Sequence, residues 1–261
     1  MANVYDIDGR VITSDTQGLT YRRNPLAHVT EFLTVAQTYL GQTSIVYNDG
    51  NTPIYLTGET NGIDCSTYVM FCLLGIPWSK SPYVTGVYGG PTALSANTTD
   101  YEWAINPMKY KISRFIDGHN PDEMVRLACQ LGHWMWSRGQ EVSLDNGFAD
   151  VLPGDIVFWG HKVSGTDEWA RPEWWQHINH VGIILTKEDA PDTYTYESGG
   201  QTITANWDKT KYPYKHQIIE VGNATPPCMN TRWLEKGQED PTNVYRNDVN
   251  SIALICRPDL G

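Results

Sequence analysis

The chain has 261 residues, 40% of them apolar and 19% charged, with a net charge of −11. Those are globular values, with enough length to bury a substantial core in one large domain or two small ones, and the acidic balance argues against nucleic acid as the main partner and against unaided adsorption to an anionic cell surface. There is no run of ~18 apolar residues to insert in a membrane, the start MANVYDIDGRVITSD has neither the basic residues nor the apolar stretch of a secretory signal, and five cysteines without a CxxC pair predict reduced thiols rather than a disulfide framework or zinc knuckle.

Residues 1–23 read as an extended lead-in with the turn signals DIDG and DTQG. A first helix is predicted from Asn24, with Pro25 in its first turn, Gly41 as its stop, and Leu26, Val29, Phe32, Leu33, Ala36 and Leu40 as its apolar stripe. A loop rich in Asn, Gly and Thr follows over residues 42–60 and carries Tyr47 and Tyr55. Then NGIDCSTYVMFCLLGI, residues 61–76, predicts a turn running into a short amphipathic helix. Asp64 is its N-cap, with the carboxylate placed to accept an amide N–H from Thr67, and Gly75 and Pro77 stop it. Residues 78–119 show weak periodicity and form an irregular insertion. A further helix starts at Asn120-Pro121, runs through Met124, Leu127, Ala128, Leu131 and Met135, and closes at Gly139.

After residue 150 the pattern changes. DIVFW (155–159), HVGIIL (180–185), TYTYES (193–198), QTITANW (201–207), HQIIEV (216–221) and SIALICR (251–257) read as strands. Helices first and strands after predict an α+β fold, with N-terminal helices packed on a C-terminal antiparallel sheet.

Cys65 would be the first residue of its helix, where unpaired amide N–H groups and the helix dipole favour a thiolate. Cys65, Val69 and Cys72 or Leu73 share one face, so the thiol turns toward the core. The bland alternative is a packed cysteine, since free Cys is among the most buried residue types. A nucleophilic Cys needs a base from a neighbouring element, and His180, opening an apolar strand, can be held rigidly against a helix N-terminus. The imidazole would take the thiol proton and return it to a leaving amine. A third polar group must fix the ring, and Glu197, near the end of the next strand in sequence, is the candidate. His177 and His180 could instead hold a metal, but on a strand residues three apart point to opposite faces and no third ligand accompanies them, so no metal or cofactor is expected. His28, His119, His161 and His216 are isolated and suit surface or hydrogen-bonded structural roles. His133 and Cys129, inside the Asn120 helix, suit packing or a solvated face.

The order YLG (39–41), IDCST (63–67), LGIP (74–77), LPGDIVFW (152–159), HVGII (180–184) and a closing strand ending in ICRP resembles the NlpC family of bacterial cell-wall cysteine peptidases, relatives of papain and of CHAP domains. The resemblance spans residues 24–258 as one domain with an insertion at about 78–150, in the manner of phage-encoded members. It implies a papain-like fold with Cys65 as nucleophile and His180 as base. Glu197 falls where the family places its third residue, and Tyr47 or Tyr55 falls where it has a substrate-contacting tyrosine. Thr67 stands where Gly is usual. The backbone N–H of Cys65 would face the developing oxyanion. The loop 160–177, between two active-site strands, offers Trp174 and Trp175 either as a cleft wall or as side chains buried by the loop itself.

The resemblance implies a thiol hydrolase of an amide bond in bacterial peptidoglycan or muropeptides, in the stem peptide or at the muramoyl–alanine amide. With no secretory signal in view, delivery from a virion or by lysis is expected. Acyl transfer or deamidation by the same dyad is the second reading, and a non-catalytic wall-binding or phage structural module is the third.

Overall fold

The computed structural model describes residues 4–5, 11–12, 27–43, 45–47, 62–78, 103–105, 125, 127–144, 146–160, 175–222, 225–235 and 252–260. Tyr55, Trp174, the predicted helix starts at Asn24 and Asn120, and most of the lead-in and of the insertion lie outside them. Within the lead-in, two short strands pair antiparallel, β1 (Val4–Tyr5) and β2 (Val11–Ile12). Among the described residues the architecture is α+β: three α-helices and a five-stranded, wholly antiparallel sheet.

Helix α1 spans Val29–Gln37 and so begins later than the Asn24-Pro25 signal predicts, with Ala27 and His28 in a turn before it. Its buried face is Phe32, Val35 and Ala36, continued by Tyr39. Two short parallel strands follow, β3 (Val46–Tyr47) and β4 (Gly62–Ile63), with Tyr47 opposite Ile63. Helix α2 is Cys65–Leu73. Every residue of α2 is buried, so it is a central helix rather than the amphipathic one expected. The two helices clasp each other through phenols. Tyr39 donates to the carbonyl of Ile76 at 2.6 Å and Tyr68 to that of Ala36 at 3.1 Å, which ties the YLG segment to the LGIP segment. Helix α3 runs Ala128–Ser137. Leu127 is the last residue before it rather than part of its stripe, because its N–H is taken by the Gln130 side chain at 2.9 Å.

The main sheet contains β5 (Ile156–Gly160), β6 (Ile178–Asp189), β9 (Tyr214–Val221), β10 (Met229–Trp233) and β11 (Ile252–Cys256), in spatial order β10-β9-β6-β5-β11. Strands β7 (Thr193–Ser198) and β8 (Gln201–Asn206) form a separate two-stranded ribbon. The larger core lies where α1, α2 and α3 meet residues such as Ile156, Phe158, Val181, Ile183 and Ile219. A second cluster, including Val142, Val151, Val157, Ile184, Ile218 and Ile255, brings segments 142–151 and 207–212 against other sheet side chains.

The LPGD and ICRP segments are joined by one buried ion pair. Asp155 is 0% exposed and receives Nε and Nη2 of Arg257 at 2.8 and 2.9 Å, plus the N–H of Leu152 at 2.8 Å. Burial pushes the Asp155 carboxyl up, and the Arg257 guanidinium and the Leu152 N–H work against that rise. Gly154 precedes it at φ +93°, a left-handed backbone, and a side chain there would collide with Val29 of α1. The turn thus lets a helix and a strand approach closely. Replacing Arg257 by Leu leaves Asp155 buried without its counter-charge. A loss of ~3 kcal/mol or more in unfolding free energy is expected by urea titration near neutral pH, and much of it should disappear in the double replacement with Asp155→Asn.

Candidate active site

Asp64 caps α2 as its sequence predicts. Its Oδ1 accepts the N–H of Thr67 at 2.7 Å and the hydroxyl of Ser66 at 2.9 Å. The three residues of the Asp-Cys-Ser segment therefore have distinct duties. Asp64 holds the helix start, Ser66 holds the carboxylate, and Cys65 is left as the first helical side chain. Burial pushes the Asp64 carboxyl up, and the donors from Thr67 and Ser66 counter it. Thr67 is itself buried, so its branched side chain is accommodated in the packing of α2.

Cys65 is 7% exposed, and its Sγ lies 3.9 Å from the carbonyl of Asn179, the residue before His180. The thiol is near enough to the His180 ring to act on its charge. On its other side the ring meets a carboxylate, with Nε2 2.8 Å from Oε2 of Glu220. Nδ1 is then the ring nitrogen left for the thiol. The His180 side chain is 13% exposed and that of Glu220 3%. Glu220 in turn is gripped by Arg232, Nε to Oε1 at 2.5 Å and Nη2 to Oε2 at 3.2 Å.

Strand register produces this row. His180 of β6 stands opposite Trp159 of β5. Ile183 of β6 stands opposite Ile219 of β9, which places Glu220 diagonally from His180. Arg232 of β10 stands opposite Ile218, two residues from Glu220 and on the same face. The space between His180 and Glu220 exists because residue 182 is glycine. A side chain there would come within 3.3 Å of Glu220 Cβ and 3.4 Å of the Trp159 ring. The glycine of the HVGI segment thus keeps the packing between His180, Glu220 and Trp159 free of a crowding side chain.

Burial alone would push the His180 ring toward neutrality, but the charges of Cys65 and Glu220 outweigh it and raise its pKa from 6.5 to about 10. Burial would raise Glu220, yet Arg232 and His180 hold it down at about 2. Burial also pushes the thiols of Cys72, Cys228 and Cys256 up. All five cysteines are free, and Cys129 is fully buried as well.

The sequence-predicted residues divide as follows. Cys65 and His180 come together. Glu197 does not lie on the strand beside His180. The chain leaves the sheet after β6, makes the β7–β8 ribbon in which Glu197 pairs with Thr202, and returns as β9, so the next strand in space is not the next in sequence. The carboxylate at the ring is Glu220, and its signal was a charged residue within the apolar run IIEV. Tyr47 lies half-buried on β3, and its pairing with Ile63 brings it close in space to the start of α2. Trp175 is half-buried against α3, with its ring centroid 5.0 Å from His133 and 5.6 Å from the exposed Trp136. His177 sits in a 3-10 turn before β6 at φ +56° rather than on the strand. His216 is a buried structural histidine, its Nδ1 2.6 Å from Oε1 of Glu235. Among the described residues no three His, Cys, Asp or Glu side chains are grouped to hold a metal ion, and no helix is long and apolar enough to cross a membrane.

Comparison with family models, with curated proteins and with solved structures finds no match to this chain.

A ring whose pKa rises on folding stabilises the folded chain fully below its unfolded value of 6.5, and that contribution is lost as pH rises through about 10. Glu220, lowered from 4.5, contributes fully above 4.5 and loses its contribution as pH falls through about 2. The melting temperature of the wild type should therefore exceed that of His180→Gln by a margin that shrinks as pH climbs from 6.5 toward 10. Parallel curves across that interval would contradict the charged pairing.

Proposed function

We propose that the chain is a thiol-dependent hydrolase with a papain-like arrangement, acting on an amide bond of bacterial peptidoglycan. One observation carries the chemistry: a cysteine at a helix N-terminus has its Sγ 3.9 Å from the carbonyl of Asn179, next to a histidine whose Nε2 is held 2.8 Å from a buried carboxylate. The substrate class rests on the resemblance of the DCS, PGD and HVGI segments, in that order, to the NlpC family.

In this reading His180 takes the proton of Cys65, and Sγ attacks the amide carbonyl carbon. The oxygen becomes negative beside the N–H of Cys65, which as a first-turn amide has no acceptor within the helix. His180 then gives its proton to the leaving nitrogen as the C–N bond breaks, and a thioester remains on Cys65. Water loses a proton to His180, adds to the thioester carbonyl, and releases the acid and the thiol. Glu220 keeps the ring oriented and favours its charged form at each proton transfer. Peptidoglycan is thus the partner, and no cofactor enters the cycle.

Incubation with purified peptidoglycan should release fragments with new amino termini, detected by mass spectrometry. Cys65→Ala and His180→Ala should abolish that release. Transfer to an added amine in place of hydrolysis would assign the dyad to an acyltransferase, and retention on the wall without turnover would make the chain a binder. Glu220→Gln should lower kcat by roughly ten- to a thousandfold, whereas Glu197→Gln should change it less than about twofold.

Brief iodoacetamide treatment at neutral pH should label Cys65 ahead of the other four cysteines, because these are 0% exposed against 7% for Cys65 and burial raises the thiols of Cys72, Cys228 and Cys256. Mass mapping reads the result, and even labelling over all five would count against a reactive Cys65.

A further inference from the structure

We propose that Arg232 is a positioning residue for His180, acting through Glu220 and closed over by Trp159. The inference rests on the Cys65–His180 reading of the site and adds a fourth member to it.

Arg232 lies on β10, three strands away from β5, and its hydrogen bonds go to Glu220. It acts on the carboxylate. A carboxylate bound only to His180 could turn about its last bond and offer either oxygen, so the ring would not be held in one plane. The guanidinium removes that freedom. Its Nε takes Oε1 at 2.5 Å and its Nη2 takes Oε2 at 3.2 Å, which leaves Oε2 directed at the ring 2.8 Å away. Two-point binding of this kind belongs to the planar guanidinium, since lysine supplies a single charge without the fork.

The second effect is electrostatic. Cys65, His180, Glu220 and Arg232 form a line that alternates −, +, − and + once the thiol has passed its proton to the ring. The terminal cation keeps the Glu220 charge from binding the imidazole proton too tightly for the ring to release it to a leaving group. Burial of Glu220 makes this consequential: at 3% exposure little water is present to screen it.

Trp159 completes the arrangement. It is fully buried, its ring centroid is 5.3 Å from that of His180, and the Arg232 guanidinium carbon lies 5.1 Å from the centre of the same indole. The indole therefore lies against both ends of the His180–Glu220–Arg232 chain and shields it from water, with a cation–π contact fixing the arginine.

The test is the titration of the His180 ring, followed by NMR of histidine-labelled full-length protein in the wild type, R232Q, R232M and R232K. Both neutral variants should raise the His180 midpoint by roughly half to one pH unit, because a cation near the imidazolium is lost while Glu220 remains. R232M fills the space under Trp159 without a polar group to satisfy, so it serves where R232Q does not fold. R232K keeps the charge without the fork and should lie between the wild type and the neutral variants. A midpoint unchanged in the neutral variants would overturn the inference and reduce Arg232 to a packing residue. Cys65 alkylation separates this failure from that of the underlying reading. A rate indifferent to His180→Ala would remove the dyad itself. A rate that depends on His180, with unmoved midpoints, would remove Arg232 alone.

Discussion

The site depends on a carboxylate that is taken out of water inside an antiparallel sheet. Buried alone, Glu220 would be costly to keep charged, and its natural response would be to take up a proton. It stays ionised because two cationic groups reach it from the neighbouring strands, His180 from β6 and Arg232 from β10. The same pairing that makes the buried charge tolerable also holds the imidazole by its Nε2. Stability and, in the proposed reading, chemistry are consequences of one set of distances.

Those distances are in turn set by backbone register. An antiparallel sheet places diagonal neighbours on one face within reach of long side chains, and β5, β6, β9 and β10 each contribute one member to the row Trp159, His180, Glu220 and Arg232. A slip of one residue in any strand would turn that member to the opposite face. The two hydrophobic clusters guard against this slip. Ile219 and Val221 belong to the larger cluster, whereas Ile218 belongs to the second, so β9 has apolar anchors in both and cannot shift without exposing them.

The cysteine side of the site is built by a different device. Helix α2 is buried on all sides, clasped to α1 by Tyr39 and Tyr68, and its first turn is locked by Asp64 and Ser66. Rigid burial of the helix fixes where its N-terminus emerges, which is at the Asn179–His180 end of β6. The Asp155–Arg257 pair and Gly154 lie at the far end of β5 and hold α1 and β11 to the sheet. The short segments that carry the family resemblance are thus mostly packing devices. Their co-occurrence in one order reflects which helices and strands must touch.

Local sequence was enough for several features, each resting on contacts within a few residues. The Asp64 cap, the position of Cys65, the helix stop at Gly75-Pro77 and strands β5 to β9 and β11 follow from capping chemistry, apolar runs and alternation, and these survive in the folded chain. Strand β10 was less legible, because MNTRW has no alternation of apolar and polar residues, and with it Arg232 was missed. Helix α3 begins after Leu127, whose N–H is held by the Gln130 side chain. What tertiary structure alone decided was adjacency. Sequence order places TYTYES directly after the His180 strand, yet that segment pairs only with β8 while β9 returns to lie beside β6. Alternation tells which residues of a strand share a face, but it carries no information on which strand will be the neighbour. That Glu220 and not Glu197 meets the His180 ring was decided by long-range pairing, which no local signal encodes; the charge within IIEV marks Glu220 as unusual but not as the neighbour of His180.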